Sequence, residues 1–128
     1  LVCMATTKSL LQIIEKIVNL DSHMRFVAII DLKGNIVEGI MKEGKTSLES
    51  QKQEEYFCSQ VADRRKMRQE FDKPLGKVRY VHVERENVTQ FVVYSKRHSF
   101  FITTEPEITS SIKLGMIMKI KKIISTLK

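Results

Sequence analysis

Residues 24–44, MRFVAIIDLKGNIVEGIMKEG, decide how this 128-residue chain is read. Phe26, Val27, Ala28, Ile29 and Ile30 form an unbroken apolar run. Lys33-Gly34-Asn35 offers a tight turn, and Ile36, Val37 and Ile40 lead back. Asp31 and Gly34 suit that turn, because an aspartate side chain bonds nearby amides and glycine accepts a positive φ. The stretch reads as a β-hairpin, two adjacent segments running in opposite directions.

Upstream, Leu10, Ile13, Ile14, Ile17 and Val18 recur at helical spacing behind two candidate N-caps, Thr6 and Thr7. Downstream, Thr46-Ser47-Leu48-Glu49 matches a capping box and predicts a helix from about residue 48 to 71. Its apolar residues (Tyr56, Phe57, Val61, Met67, Phe71) form only a thin stripe, which covers a sheet poorly unless something else packs there. Lys73-Pro74-Leu75-Gly76 breaks the chain, and strands are expected over 77–84, 89–94 and 99–104. The charged alternation of KVRYVHVE suits an exposed sheet edge, whereas FVAII, FVVY and SFFI suit the sheet centre. Thr104, Pro106 and Glu107 open a last helix, with Ile112, Met116, Ile120, Ile123 and Leu127 as its inward face. The order α-β-β-α-β-β-β-α predicts an α+β fold with a five-stranded antiparallel sheet.

The length fits one domain spanning 1–128, with residues 1–5 expected to lie outside its ordered part. No apolar run approaches the length of a membrane span, and no signal peptide is evident at the start. Two cysteines in unrelated contexts, Cys3 and Cys58, give no disulfide framework, so a reducing cytoplasm is the expected setting. The net charge of +7 is lopsided. Residues 1–63 hold 7 Lys/Arg against 9 Asp/Glu, a net −2, and the remainder holds 15 against 6, a net +9. Such asymmetry fits an acidic partner, nucleic acid or anionic lipid, and equally a lysine-solvated surface.

The element order resembles the roadblock/LC7 and longin superfamily of profilin-like modules. DSHMRFVAIIDLKGNIVEGIMKEG, RRKMRQEFDKPLGKVRY and FFITTEPE, taken together, resemble a small archaeal family of single-domain proteins over about residues 8–124. The resemblance implies first and third helices on one sheet face and the second on the other. It also implies an adaptor or regulator, of a kind that often dimerises and sometimes serves small-GTPase pathways. In roadblock-type dimers the middle helix and third strand meet across a two-fold axis. The matching positions are Tyr56, Val61, Arg64 and Arg68 on the helix and Arg79 and Val81 on the strand.

Other motifs compete with that reading. Gly39-Ile40-Met41-Lys42-Glu43-Gly44-Lys45-Thr46 satisfies the spacing of a phosphate loop, with Gly39, Gly44, Lys45 and Thr46 as the key residues. A hairpin arm is the wrong setting, however, since phosphate loops follow strands of parallel sheets. No later apolar strand ends in an aspartate that could hold magnesium. A turn and helix cap account for the same letters. Arg64, Arg65 and Arg68, with Lys73, Lys77 and Arg79, form a cationic patch that could meet a partner or nucleic acid, or remain a solvated helix face. The lysine-rich last helix has an interfacial composition, but its apolar face is needed to cover the sheet, so a membrane surface is not the expected partner. His23, His82, His98 and Cys58 lack metal or nucleophile spacing. The expectation is a non-enzymatic interaction module without cofactor or metal, whose partner is a second copy of itself or another protein. Nucleic-acid binding through 64–79 and nucleotide binding through 39–46 are the alternatives.

Overall fold

A computed structural model describes residues 2–127, with side chains from Ser9 onward. Of residues 1–5, expected outside the ordered part of the domain, Leu1 lies outside the described residues and Val2–Ala5 fall within the first helix. The elements are α1 (Val2–Val18), β1 (Met24–Asp31), β2 (Ile36–Met41), α2 (Gln51–Gln69), α3 (Asp72–Leu75), β3 (Val81–Glu84), β4 (Thr89–Tyr94), β5 (His98–Thr104) and α4 (Ser110–Ile124).

The hairpin forms as expected. β1 and β2 pair antiparallel, with Val27 opposite Ile40 and Ala28 opposite Gly39. The Asp31 carboxylate accepts from the amides of Lys33 and Asn35, both at 2.9 Å, and Gly34 takes a φ of +96°. Those amide donors hold the Asp31 carboxyl below its usual range against the raising effect of burial. Gly34 also sits so close to α2 that an added Cβ would lie 2.9 Å from the Ser59 Cα.

Strand order across the sheet is β2-β1-β5-β4-β3, with every neighbouring pair antiparallel. The apolar tracts occupy the centre because both their faces are covered. Val27 and Ile29 of β1 point into a core made with α1 and α4, while Phe26, Ala28 and Ile30 point into a second core with α2. Leu10, Ile13, Ile14, Ile17 and Val18 are all buried in the first core. Thus α1 and α4 share one face and α2 alone covers the other, as the resemblance implied.

Several expectations need correction. α1 runs through Thr6 and Thr7, so neither marks its start. The capping box of α2 is Ser50 with Gln53, not Thr46 with Glu49. The Lys73–Gly76 break contains one helical turn, α3. β3 keeps only Val81–Glu84 of the expected 77–84, which leaves Arg79 exposed ahead of it. The inward stripe of α4 is Lys113, Met116, Ile117, Ile120 and Ile124, and Ile112 faces outward. Lys113 is only 3% exposed, and its ammonium bonds the Glu84 carboxylate and the Pro106 carbonyl, tying α4 to the end of β3. Among the described residues, no helix is long and apolar enough to cross a membrane.

Candidate interaction surface

α2 buries Cys58, Val61, Ala62 and Arg65 at helical spacing, and these seat it on β1 and β5. Because it lies over that side of the sheet, the β3 end of the same face stays open. Phe57 and Val61 from the helix and Val81, Val92 and Phe101 from the sheet floor a groove there. Arg64, Arg68 and Arg85 stand around it. The guanidinium carbons of Arg64 and Arg85 lie 5.6 and 6.0 Å from the Phe57 ring centre, so both cations are within cation–π reach of one aromatic. Arg85 is held by an Nε bond to Gln90 Oε1 at 3.0 Å. Phe57 also packs on Phe101 with ring centroids 5.0 Å apart. β3 pairs on one side only, with β4, so its other edge presents open backbone groups.

Tyr56 and Met67 are 68% and 55% exposed. They are three turns apart and share the outer face of α2. The two halves of the helix differ in charge: Glu54 and Glu55 lie in the first, while Arg64, Arg65, Lys66 and Arg68 crowd the second. Arg64, Arg68 and Val81 therefore line the groove, and Tyr56 stands on the outer face of the same helix. Arg79 precedes β3, and Val61 and Arg65 are withdrawn into the protein. Val61, though buried, forms part of the groove floor, whereas Arg65 turns away from it.

Arg65 is the larger surprise. Its Nη1 donates to the His98 carbonyl at 2.8 Å and to Ser99 Oγ at 3.2 Å, and its Nη2 donates to the Ser95 carbonyl at 2.7 Å. Its guanidinium stacks 4.6 Å from the Tyr94 ring centre. It clamps α2 to the β4–β5 turn. A cationic run gives no hint of this; the spacing from Cys58, Val61 and Ala62, which puts residue 65 on the buried face, does. Phe57 and Arg85, the other residues missed as site members, carry no local signal beyond a place in the helix stripe for Phe57 and adjacency to the end of β3 for Arg85.

The phosphate-loop letters fall apart in three dimensions. Gly39 lies in β2, antiparallel to its neighbour. Lys45 Nζ is 3.1 Å from Glu105 Oε1, which also accepts from Arg25 Nη1 at 2.6 Å. The Thr46 carbonyl accepts from Arg25 Nη2 at 2.7 Å. Only residues 42–46 form a loop, pinned to the start of β1, with Lys45 engaged by a carboxylate. Burial and the nearby Glu54 and Glu49 push the Cys58 thiol up to about 12, which removes thiolate character at neutral pH. Among the described residues, no three His, Cys, Asp or Glu side chains converge as metal ligands.

A family model described as a family of unknown function, DUF6659, matches residues 10–125. No curated protein matches in sequence. Solved structures share the fold. The roadblock/LC7 domain from Streptomyces avermitilis aligns with a TM-score of 0.65 at 10% identity, over 91% of this chain and 92% of that one. Myxococcus xanthus MglB gives 0.72 at 10% identity, over 94% and 88%. An MglB structure with a tetrameric arrangement gives 0.70 at 14% identity, over 95% and 92%. At such identities the likeness establishes a roadblock-type fold.

Proposed function

The chain belongs to the DUF6659 family, and we propose that its roadblock-type domain is a non-enzymatic regulatory module that pairs with a second copy of itself through α2 and β3. The observation that carries this reading is the half-covered sheet face. An apolar groove and an open β3 edge lie beside α2 on one face of the sheet, and Tyr56 and Met67 stand exposed on the outer side of that helix. Apolar surface gains by leaving water and an open edge is a ready template for another strand, so a two-fold partner can cover the groove, the edge and the helix together. Running the two α2 helices antiparallel sets the acidic first half of each toward the cationic second half of the other, which relieves the repulsion that a parallel pairing would create. The tetrameric arrangement of one structurally similar MglB supports assembly through this fold. The paired module would act in a reducing cytoplasm as an adaptor or scaffold, in the manner of small-GTPase-pathway regulators.

Light scattering tests the pairing. The intact chain is expected at twice its 14.9 kDa mass at micromolar concentration. Val81→Glu combined with Tyr56→Glu should give single chains with an unchanged circular dichroism spectrum. An intact protein that stays at single-chain mass throughout the micromolar range contradicts the proposal.

A further inference from the structure

We propose that the cleft between the end of α2 and the β4–β5 turn binds a phosphate monoester. The cleft, about 510 Å³, is lined by Arg65, Arg68, Lys77, Lys96, Tyr94 and a single acid, Asp72. It is separate from the groove under β3, although Arg68 borders both.

Arg65 is the buried member of that lining. Its side chain is nine-tenths buried, yet every partner it has is neutral: two carbonyls, a hydroxyl and the Tyr94 ring. Its Nε is buried without an acceptor. Among the described residues no carboxylate pairs with it. Burying an uncompensated charge costs several kcal/mol in real proteins, so a buried cation is ordinarily paired. Here the second, third and fourth charges beside it are also cations, Arg68, Lys77 and Lys96, and among the described residues none of them forms an ion pair either. The surplus over Asp72 is three positive charges beside an open cleft. A dianion with several acceptor oxygens matches that surplus better than a monocarboxylate does. Arg68 Nη1 is 3.3 Å from the Tyr94 hydroxyl, which accepts from it and keeps its own proton to donate into the cleft. Arg65 supplies charge from below, while Arg68, Lys77, Lys96 and the Tyr94 hydroxyl are placed to touch the ligand.

The phosphate could belong to a free small molecule or to a phosphorylated side chain of another protein. Calorimetry on the full chain with glycerol 2-phosphate and with a phosphoserine tetrapeptide separates these sources, with acetate at matched ionic strength as the control. Saturable binding of one phosphate monoester per chain is expected, and the tighter of the two ligands identifies the source. Lys77→Gln with Lys96→Gln, both exposed and away from β3, should weaken it roughly tenfold without altering the circular dichroism spectrum or the oligomeric mass. No saturable heat with either ester, acetate binding of equal strength, or an unaffected double variant overturns the assignment.

Discussion

Gly34 carries two constraints at one atom. Its φ of +96° is open to glycine but strained for other residues, and the missing Cβ makes room for Ser59 of α2. Gly34→Ala should therefore cost about 1–3 kcal/mol through backbone strain alone, with the clash added. Urea unfolding monitored by circular dichroism checks it, and an unchanged midpoint would show that the turn does not depend on glycine. The turn was legible because Asp31 and Gly34 act locally. The role of Arg65 was not, because the cationic run Arg64–Arg68 reads as surface when charge is considered before position. What buries Arg65 is the set of backbone carbonyls at the β4–β5 turn, thirty residues further along, and nothing near it in sequence announces them.

Among the elements, the helices show where local pattern stops being enough. Thr46-x-x-Glu49 and Ser50-x-x-Gln53 are tandem capping boxes, and the sequence does not choose between them. The choice is tertiary: Arg25 holds the Thr46 carbonyl and Lys45 is paired to Glu105, so the helix waits for Ser50. In α4, counting isoleucines and methionine at steps of four finds a stripe through Ile112. The true one is rotated toward Lys113 and Ile117 because Lys113 spends its charge on Glu84 rather than on water. Ile120→Ala should cost about 2–5 kcal/mol as a buried truncation, while Ile112→Gln, half-exposed, should stay within about 0.5 kcal/mol. Thermal melts of both variants decide the matter, and a large loss at Ile112 would return the stripe to its expected position. The strands were read more accurately than the helices, since β4 matches its expected limits and β1, β4 and β5 occupy the centre. Continuous burial on both faces leaves an uninterrupted apolar signature.

For the whole molecule, ionic ties between distant segments link stability to pH. Bonds from Lys113 and Thr89 hold the Glu84 carboxyl below its ordinary range, and those from Arg25 and Lys45 do the same for Glu105 against its partial burial. A depressed carboxyl pKa adds stability above the ordinary glutamate value, about 4.3, and loses it as pH falls through the folded-state value. The urea midpoint should therefore decline on acidification below about pH 5, and Glu105→Gln should flatten that decline while lowering the midpoint at neutral pH. Equal acid sensitivity in the variant would remove Glu105 from the account. The roadblock-type fold itself was legible from the order of elements. The open groove was not, because it arises from where α2 lies over the sheet, a property of no single segment.

Hydrogen exchange followed by mass spectrometry at several protein concentrations tests the pairing surface most directly. Raising the concentration through the micromolar range should slow exchange in 51–69 and 81–84 and leave 110–124 unchanged. Concentration-independent exchange in α2 and β3, or protection that appears on α1 and α4 instead, would contradict a partner seated on the half-covered face.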